Sequence, residues 1–259
     1  YYFLMDRLEE IVLKLAGNFR GRGKHPGGMI LFPAGCDYKR ISPLTKTEDG
    51  TLIAYYEYYF MWHSFIKLDL LSHAPQEMLI RLSEQTGVNL EEIPTEDSEV
   101  LALFRPDENG VVTGCADLPE FRSEETRKMV EKLHPDNFDD LVKICTLSHG
   151  TGIWEGNMQV LVEEKGFNIK DILGSRDDIF HYILALGVNR TTAFEISEAV
   201  RKGTVSRAKN AKWPSWKKIL MQNGAEEWFL WSCERILYLF PKAHAVSYMI
   251  VNMKLGWFK

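Results

Sequence analysis

From Pro75 onward, about 185 residues read as a succession of amphipathic helices joined by short polar links, and this commits the larger part of the chain to a helical fold. The first helix is predicted over 75–86, with Gly87 beyond its end, and another over 98–104. A long link over 105–121 contains Gly110, Gly114 and Pro119. Ser123 caps a helix running to Leu133, with Glu124 and Glu125 suitably placed in its first turn. Asp136 is expected to cap the next, which carries Phe138, Leu141, Val142 and Cys145. Further helices are predicted over 155–164, 177–186, 191–202, 214–222, 225–238 and 241–257. There is no internal repeat and no low-complexity segment.

The chain before Pro75 has another texture. Leu4, Leu8, Ile11 and Leu15 repeat at helical spacing, and Gly17 sits where such a helix stops. A basic, glycine-rich loop follows over 18–28, then a short strand over 29–32 ended by Pro33. After a hairpin-like excursion with Glu48-Asp49-Gly50, an aromatic β-rich run occupies 51–61. The stretch Ser64-Phe65-Ile66-Lys67-Leu68-Asp69-Leu70-Leu71-Ser72 reads as a strand. Ile66, Leu68 and Leu70 are expected on its buried side; Lys67 and Asp69 share the other, ~7 Å apart. The fold class is therefore α+β: a small mixed β-sheet unit over 1–74, then a large, mainly α-helical domain over 75–259.

A composition 45% hydrophobic and 26% charged excludes a disordered chain, and no apolar run reaches the length of a membrane span. The four cysteines (Cys36, Cys115, Cys145, Cys233) form no CxxC pair, which fits a reduced, cytoplasmic protein and lends no support to a zinc site. An opening at Tyr1 without Met or signal peptide is what a piece of a longer protein would show. The net charge of −5 conceals an asymmetry: from Arg201 onward eleven Lys and Arg face three Glu, a local +8 against −13 for the remainder. A basic end points to a polyanionic partner or to a solvated lysine face.

Five short motifs could carry chemistry, and each has a plainer reading. The strand at Lys67 and Asp69 can hold a metal-bound phosphate, or be an ordinary half-buried strand with two solvated charges. In Lys24-His25-Pro26-Gly27-Gly28 the glycines permit close backbone approach and the Lys and His offer donors to phosphate, unless the pair is only a turn. Leu147-Ser148-His149-Gly150-Thr151 could surround a base or sugar, or Gly150 could merely end a helix with His149 at its negative end. Arg176, at the start of a helix whose dipole it opposes, is a candidate phosphate grip beside Asp177 and Asp178, which suit that position. In Phe240-Pro241-Lys242-Ala243-His244-Ala245-Val246-Ser247-Tyr248, His244 and Tyr248 share one helix face and Lys242 lies where an anion is wanted, or the segment is core.

These elements occur together, and in this order, in one family. The chain resembles the PolC-type DNA polymerase III α subunit, the C-family replicative polymerase of low-GC Gram-positive bacteria. The resemblance rests on His-Pro-Gly-Gly (25–28), Ile-Lys-Leu-Asp (66–69), Leu-Pro-Glu-Phe (118–121), Leu-Ser-His-Gly-Thr (147–151) with Trp154 and Gly156-Asn157, Arg-Asp-Asp-Ile (176–179), Val-Arg-Lys-Gly (200–203) and Phe-Pro-Lys-Ala-His-Ala (240–245) with Tyr248. It implies that residues 1–74 are the C-terminal part of a palm, with the first helix at the thumb–palm junction, and that 75–259 are the fingers. Asp69 would be a catalytic carboxylate and metal ligand, and Lys67 the catalytic lysine near the incoming phosphates. His25, Gly27, Gly28, Ser148, His149, Arg176, Phe240, Lys242, His244 and Tyr248 would bind the nucleotide. The implied activity is template-dependent incorporation of dNTPs into primer–template DNA with two Mg²⁺ ions. A sliding clamp and other replisome subunits would be met through parts of the enzyme outside this chain, and no membrane is involved.

Two departures bear on that expectation. The family's other metal carboxylates come from an Asp-x-Asp element, and no Asp-x-Asp occurs in these 259 residues. The Gly/Ser-rich triphosphate loop and the exonuclease, PHP and clamp-binding portions are absent as well. The fragment is therefore expected to be inactive alone, and its own behaviour could be that of a non-catalytic nucleotide- or DNA-binding helical module. The loops at 19–24 and 59–67 are also shorter than the family pattern, and 208–216 is enlarged.

Overall fold

The structure, a computed structural model, describes residues 14, 28–47, 49–56, 65–69 and 74–259. The helix predicted from Leu4 (apart from Lys14, which is helical), the loop with His25 and Gly27, and the aromatic run beyond Tyr56 lie outside the described residues. The chain divides into two compact units, 1–73 and 74–259.

In the first unit, β1 (Gly28–Leu31) is followed by a single helical turn, α1 (Tyr38–Ile41), and by β2 (Leu44–Lys46), β3 (Leu52–Ala54) and β4 (Ile66–Asp69). The described strands form two antiparallel pairs, β1 with β4 and β2 with β3. Gly28 lies opposite Asp69 and Ile30 opposite Lys67. The β2–β3 turn closes where the sequence places Asp49-Gly50, with the Thr51 N–H donating to the Asp49 carboxylate at 3.1 Å.

The burial pattern of β4 is the reverse of the expected one. Ile66 and Leu68 are 67% and 43% exposed, whereas Phe65 is buried and packs against Phe32 with ring centroids 4.7 Å apart. Alternation places Ile66 and Leu68 on one face and Phe65 and Lys67 on the other. A two-stranded ribbon has little with which to cover both faces, and the larger aromatic burial decides which is covered.

The second unit is helical: α2 (Ala74–Thr86), α3 (Ser98–Ala102), α4 (Glu124–Leu133), α5 (Phe138–His149), α6 (Gln159–Lys165), α7 (Arg176–Ala185), α8 (Arg190–Arg201), α9 (Trp213–Gln222), α10 (Glu227–Cys233) and α11 (Lys242–Trp257). Caps explain the starts. The Thr126 N–H donates to Ser123 at α4, and Ser175 and Asp178 form a reciprocal capping box at α7. α11 is the pivot: it packs on α2, α3, α5 and the tight turn Pro119–Phe121, and buries Ala245, Met249, Val251, Asn252, Met253 and Leu255. Phe104 and Phe121, fully buried, meet edge to face at 4.8 Å within this core.

Three predicted boundaries are corrected. Asn137, not Asp136, caps α5, its side chain accepting from the Asp140 N–H at 3.0 Å. The helix expected from Glu155 opens as a wide turn, Trp154–Met158, because Gly156 is left-handed at φ 63°. The helix expected over 225–238 ends at Cys233, and 236–239 is non-helical. Ile236 and Leu239 are buried there, and a short apolar run of this kind cannot be assigned from periodicity alone.

Candidate nucleotide-binding site

α5 carries Ser148 and His149 to its last turn, with Cys145, Thr146 and Leu147 buried behind them. The Ser148 hydroxyl donates to the Cys145 carbonyl at 3.0 Å. His149 is held at both nitrogens: Nδ1 lies 3.0 Å from the Cys145 carbonyl oxygen, and Nε2 lies 3.1 Å from the Glu120 carboxylate. Both contacts are acceptors, so the doubly protonated ring satisfies both. Hydrogen bonding to Glu120 raises the His149 pKa above its ordinary value; burial opposes this, and the Glu120 charge and Cys145 carbonyl add to it. Glu120 is itself tied to α11, its N–H donating to Asn252 Oδ1 at 3.3 Å.

The chain then locks onto a distant segment. The Thr151 N–H donates to the Tyr238 carbonyl at 2.9 Å, and the Leu237 and Tyr238 N–H groups donate back to Thr151 at 2.9 and 3.1 Å. From the other side the Leu239 N–H donates to the Arg201 carbonyl at 3.1 Å, and Ser206 Oγ donates to the Ile236 carbonyl at 2.6 Å. Approach this close requires glycine. Gly152 (φ 68°) and Gly203 (φ 64°) are both left-handed, and a Cβ would collide with the Arg235 carbonyl oxygen at the first and the Leu237 carbonyl oxygen at the second. Gly150, expected as a helix-ending residue, has an ordinary φ of −79° and also serves close approach, to Ile153 and Tyr238.

The laced segment delivers Phe240 and then Pro241, which stands at the N-cap of α11 rather than inside it. The Phe240 ring lies 4.8 Å from His149, 6.0 Å from His244 and 5.8 Å from Tyr248, and Tyr248 is 6.1 Å from His149. Five of the residues singled out by sequence (Ser148, His149, Phe240, His244 and Tyr248) are thus brought together. Lys242 is exposed at the start of α11 with no ion-pair partner among the described residues. It lines a cavity of roughly 390 Å³ with Lys143, Lys170, Ser175 and Asp178.

Arg176 faces elsewhere. Its guanidinium pairs with Glu198 at 3.1 Å and Asp177 at 3.4 Å, and it lines a separate groove between α7 and α8. The anion that its place at a helix start demands is supplied by the protein. Glu198 also binds Arg201 at 3.0 Å and Lys202 at 3.4 Å, and these cations, Arg201 foremost, hold its pKa down at about 2. Several cations of the basic end are likewise matched, Lys212 by Glu195, Lys217 by Glu234 and Lys259 by Asp117. Lys67, Asp69 and Gly28 belong to the other unit, on the β1–β4 pair; the Asp69 side chain, His25 and Gly27 lie outside the described residues.

Sequence reasoning assigned no role to Glu120 or Glu198. The Glu198 pairs with Arg201 and Lys202 were readable as i, i+3 and i, i+4 neighbours. Glu120 sits within a quoted motif, but only folding reveals that it meets His149. Among the described residues Glu120, Cys145 and His149 are the one trio spaced as metal ligands. The chemistry does not suit a metal: burial pushes the Cys145 thiol pKa up, and both His149 nitrogens are engaged. Two Mg²⁺ ions need several carboxylate oxygens, and of the expected ligands this chain holds Asp69 alone.

Residues 67–224 match the family model for the bacterial DNA polymerase III alpha subunit finger domain. The chain belongs to this family. Its relatives are of PolC type: "DNA polymerase III PolC-type" from Bacillus subtilis (strain 168) is 34% identical over 264 residues. Proteins of the same name from Streptococcus thermophilus (strain ATCC BAA-491 / LMD-9) and Caldanaerobacter subterraneus subsp. tengcongensis are each 32% identical, over 264 and 268 residues. The match takes in 97–98% of this chain but only 18–19% of those polymerases. The finger-domain match begins at Lys67, so it includes Asp69, and it ends before Phe240. Among the described residues, no helix of this PolC-type chain is long and apolar enough to cross a membrane.

Proposed function

We propose that the chain is the nucleotide-facing part of a replicative, DNA-directed DNA polymerase, with 75–259 as fingers and 1–74 as the end of the palm. One observation carries this reading. Three motifs far apart in sequence, ending at Thr151, Gly203 and Tyr248, are laced so that an imidazole, two aromatic rings, a second histidine and an exposed lysine stand at the adjoining ends of α5 and α11. Rings of this kind can flank a base and sugar, and Lys242 and His244 can neutralise the β- and γ-phosphates. Arg176, which pairs with Glu198 and lines the separate groove between α7 and α8, is assigned to the same triphosphate on the family resemblance alone. His25, Gly27 and Gly28 are assigned to nucleotide binding as well.

The substrates in this reading are dNTP and primer–template DNA, and the reaction is attack of the primer 3′-hydroxyl on the α-phosphate, with Lys67 near the phosphates. Bound Mg²⁺ would supply Lewis-acid charge at that centre, held by Asp69 and by carboxylates from elsewhere in the polymerase. The clamp and other replisome partners would engage other portions, and the setting is the cytoplasm. By itself the chain would bind nucleotide or DNA without chemistry, because one carboxylate cannot place two metals.

The test is made in the full-length polymerase. Asp69→Asn should abolish incorporation while leaving affinity for primer–template DNA nearly intact. Lys242→Ala should raise KM for dNTP severalfold with little effect on DNA affinity. Retained turnover in the first variant, or an unchanged KM in the second, would refute the corresponding assignment.

A further inference from the structure

The hairpin formed by α7 and α8 contains a pattern of which the proposed active site uses Arg176 alone. Arg-x-x-x-Phe occurs twice, as Arg176–Phe180 and Arg190–Phe194, each time in the first turns of a helix. Spacing of four puts the cation and ring of each pair on one helix face. In the fold the pairs are exchanged: the Arg176 guanidinium lies 5.8 Å from the centroid of Phe194, and that of Arg190 lies 5.7 Å from the centroid of Phe180. The result is an open groove of about 620 Å³ with two rings along it and a guanidinium over each.

Its charges are not equivalent. Arg176 is matched by Glu198 and Asp177. Arg190 is exposed and has no carboxylate partner among the described residues, so the uncompensated charge of the groove is its own. Phe194 is 50% exposed, although its neighbours Ala193, Ile196 and Ser197 on α8 are buried. A flat apolar face open to solvent beside an unmatched guanidinium, on a rigid two-helix frame, is the pairing that single-stranded nucleic acid offers to fill: a base for the ring and a phosphate for the cation.

We propose that the α7–α8 groove binds an unpaired base of single-stranded DNA, stacked on Phe194, with a neighbouring phosphate on Arg190. An acidic or aromatic peptide is the other class of occupant; stacking on Phe194 with a phosphate-type salt response on Arg190 favours the nucleic acid. The site is distinct from the ring cluster around His149, and neither Arg190 nor Phe194 belongs to the proposed dNTP site. The inference rests on the polymerase reading only in taking the strand to be DNA.

The test measures binding of a fluorescein-labelled oligo(dT) to the 259-residue chain by anisotropy at several salt concentrations, with a blunt duplex of matched length as comparison. Phe194→Ala should weaken oligo(dT) binding about 5- to 100-fold, the range for loss of one base–aromatic stack. Arg190→Ala should weaken it and lower the slope of log affinity against log salt by about one, the signature of one lost phosphate contact. Both side chains are exposed, and circular dichroism would establish that the variants fold.

Absence of oligo(dT) binding by the unaltered chain, equal affinities in variants and parent, or equal losses for duplex and single strand would each overturn the proposal. So would an acidic, aromatic-containing peptide that competes for the groove while oligo(dT) does not. The outcome is separable from the active-site reading. If Asp69→Asn leaves incorporation intact, that reading falls while the oligonucleotide data still decide the groove.

Discussion

Glu120 illustrates how one carboxylate can set the state of a site it does not itself form. Its side chain meets His149 Nε2 while the other imidazole nitrogen meets a main-chain carbonyl, so deprotonating the ring forfeits a charge-assisted hydrogen bond. The folded-state pKa of His149 is therefore raised. A raised pKa contributes stability that is fully present below the unfolded value of about 6.5 and is lost as pH climbs through the folded value. Glu120→Gln should lower the His149 pKa, read from its imidazole resonances by NMR. The parent should lose urea-unfolding free energy from pH 6 to 8, and the variant should show a flatter decline. A His149 titration unmoved by the substitution would contradict the pairing. Cys145, also beside the ring, stays protonated throughout this range because burial pushes its pKa up. Glu198 behaves oppositely. Its pKa of about 2 means that its contribution holds above its ordinary pKa of ~4.3 and disappears only as pH falls through about 2.

At the level of elements, the site depends on a non-helical segment held from both sides more than on any one helix. Residues 236–239 are fastened to Thr151 and to Arg201, and the left-handed Gly203 lets the segment pass. Gly203→Ala meets two penalties, an unfavourable left-handed backbone and a Cβ against the Leu237 carbonyl. It should destabilise the helical unit by more than ~1 kcal/mol, and because Phe240 and Lys242 follow directly it should also impair nucleotide use. Ser123→Ala makes the useful contrast. It removes the cap of α4 and should cost about 1 kcal/mol with little change at the His149 rings, since α4 carries none of the residues assigned to the site and does not pass through that segment. Denaturant unfolding gives both stabilities. If the two variants reduce nucleotide affinity equally, the segment has no special part in positioning the site.

On the scale of the whole molecule, the connected buried core among the described residues runs through the second unit, from Leu79 to Leu255. A core of that extent within one compact unit predicts that residues 74–259 expressed alone fold and unfold in one cooperative transition. Calorimetry showing a broad, non-cooperative melt would count against this. The first unit is different: its described residues bury Phe65 and Ser42 but leave Met29, Leu31, Ile66 and Leu68 exposed on the β1–β4 pair. Two strands give little apolar burial, and marginal independent stability is the expectation for such a piece.

Helix existence was legible because period, caps and breakers act over a few residues. Ser123 and Ser175 start helices, and the Asp49-Gly50 turn joins β2 to β3, through forces confined to one turn of chain. The order of the motifs was likewise sufficient to indicate the polymerase family. What tertiary structure alone decided is of longer range. It ended α10 at Cys233 because the next residues find better hydrogen bonds at Thr151 and Arg201. It gave Arg176 a carboxylate in place of an open position, turned Ile66 and Leu68 outward, and set Glu120 against His149. Each of these depends on which distant group arrives to satisfy a charge, a hydrogen bond or an apolar face, and local pattern carries no record of that partner.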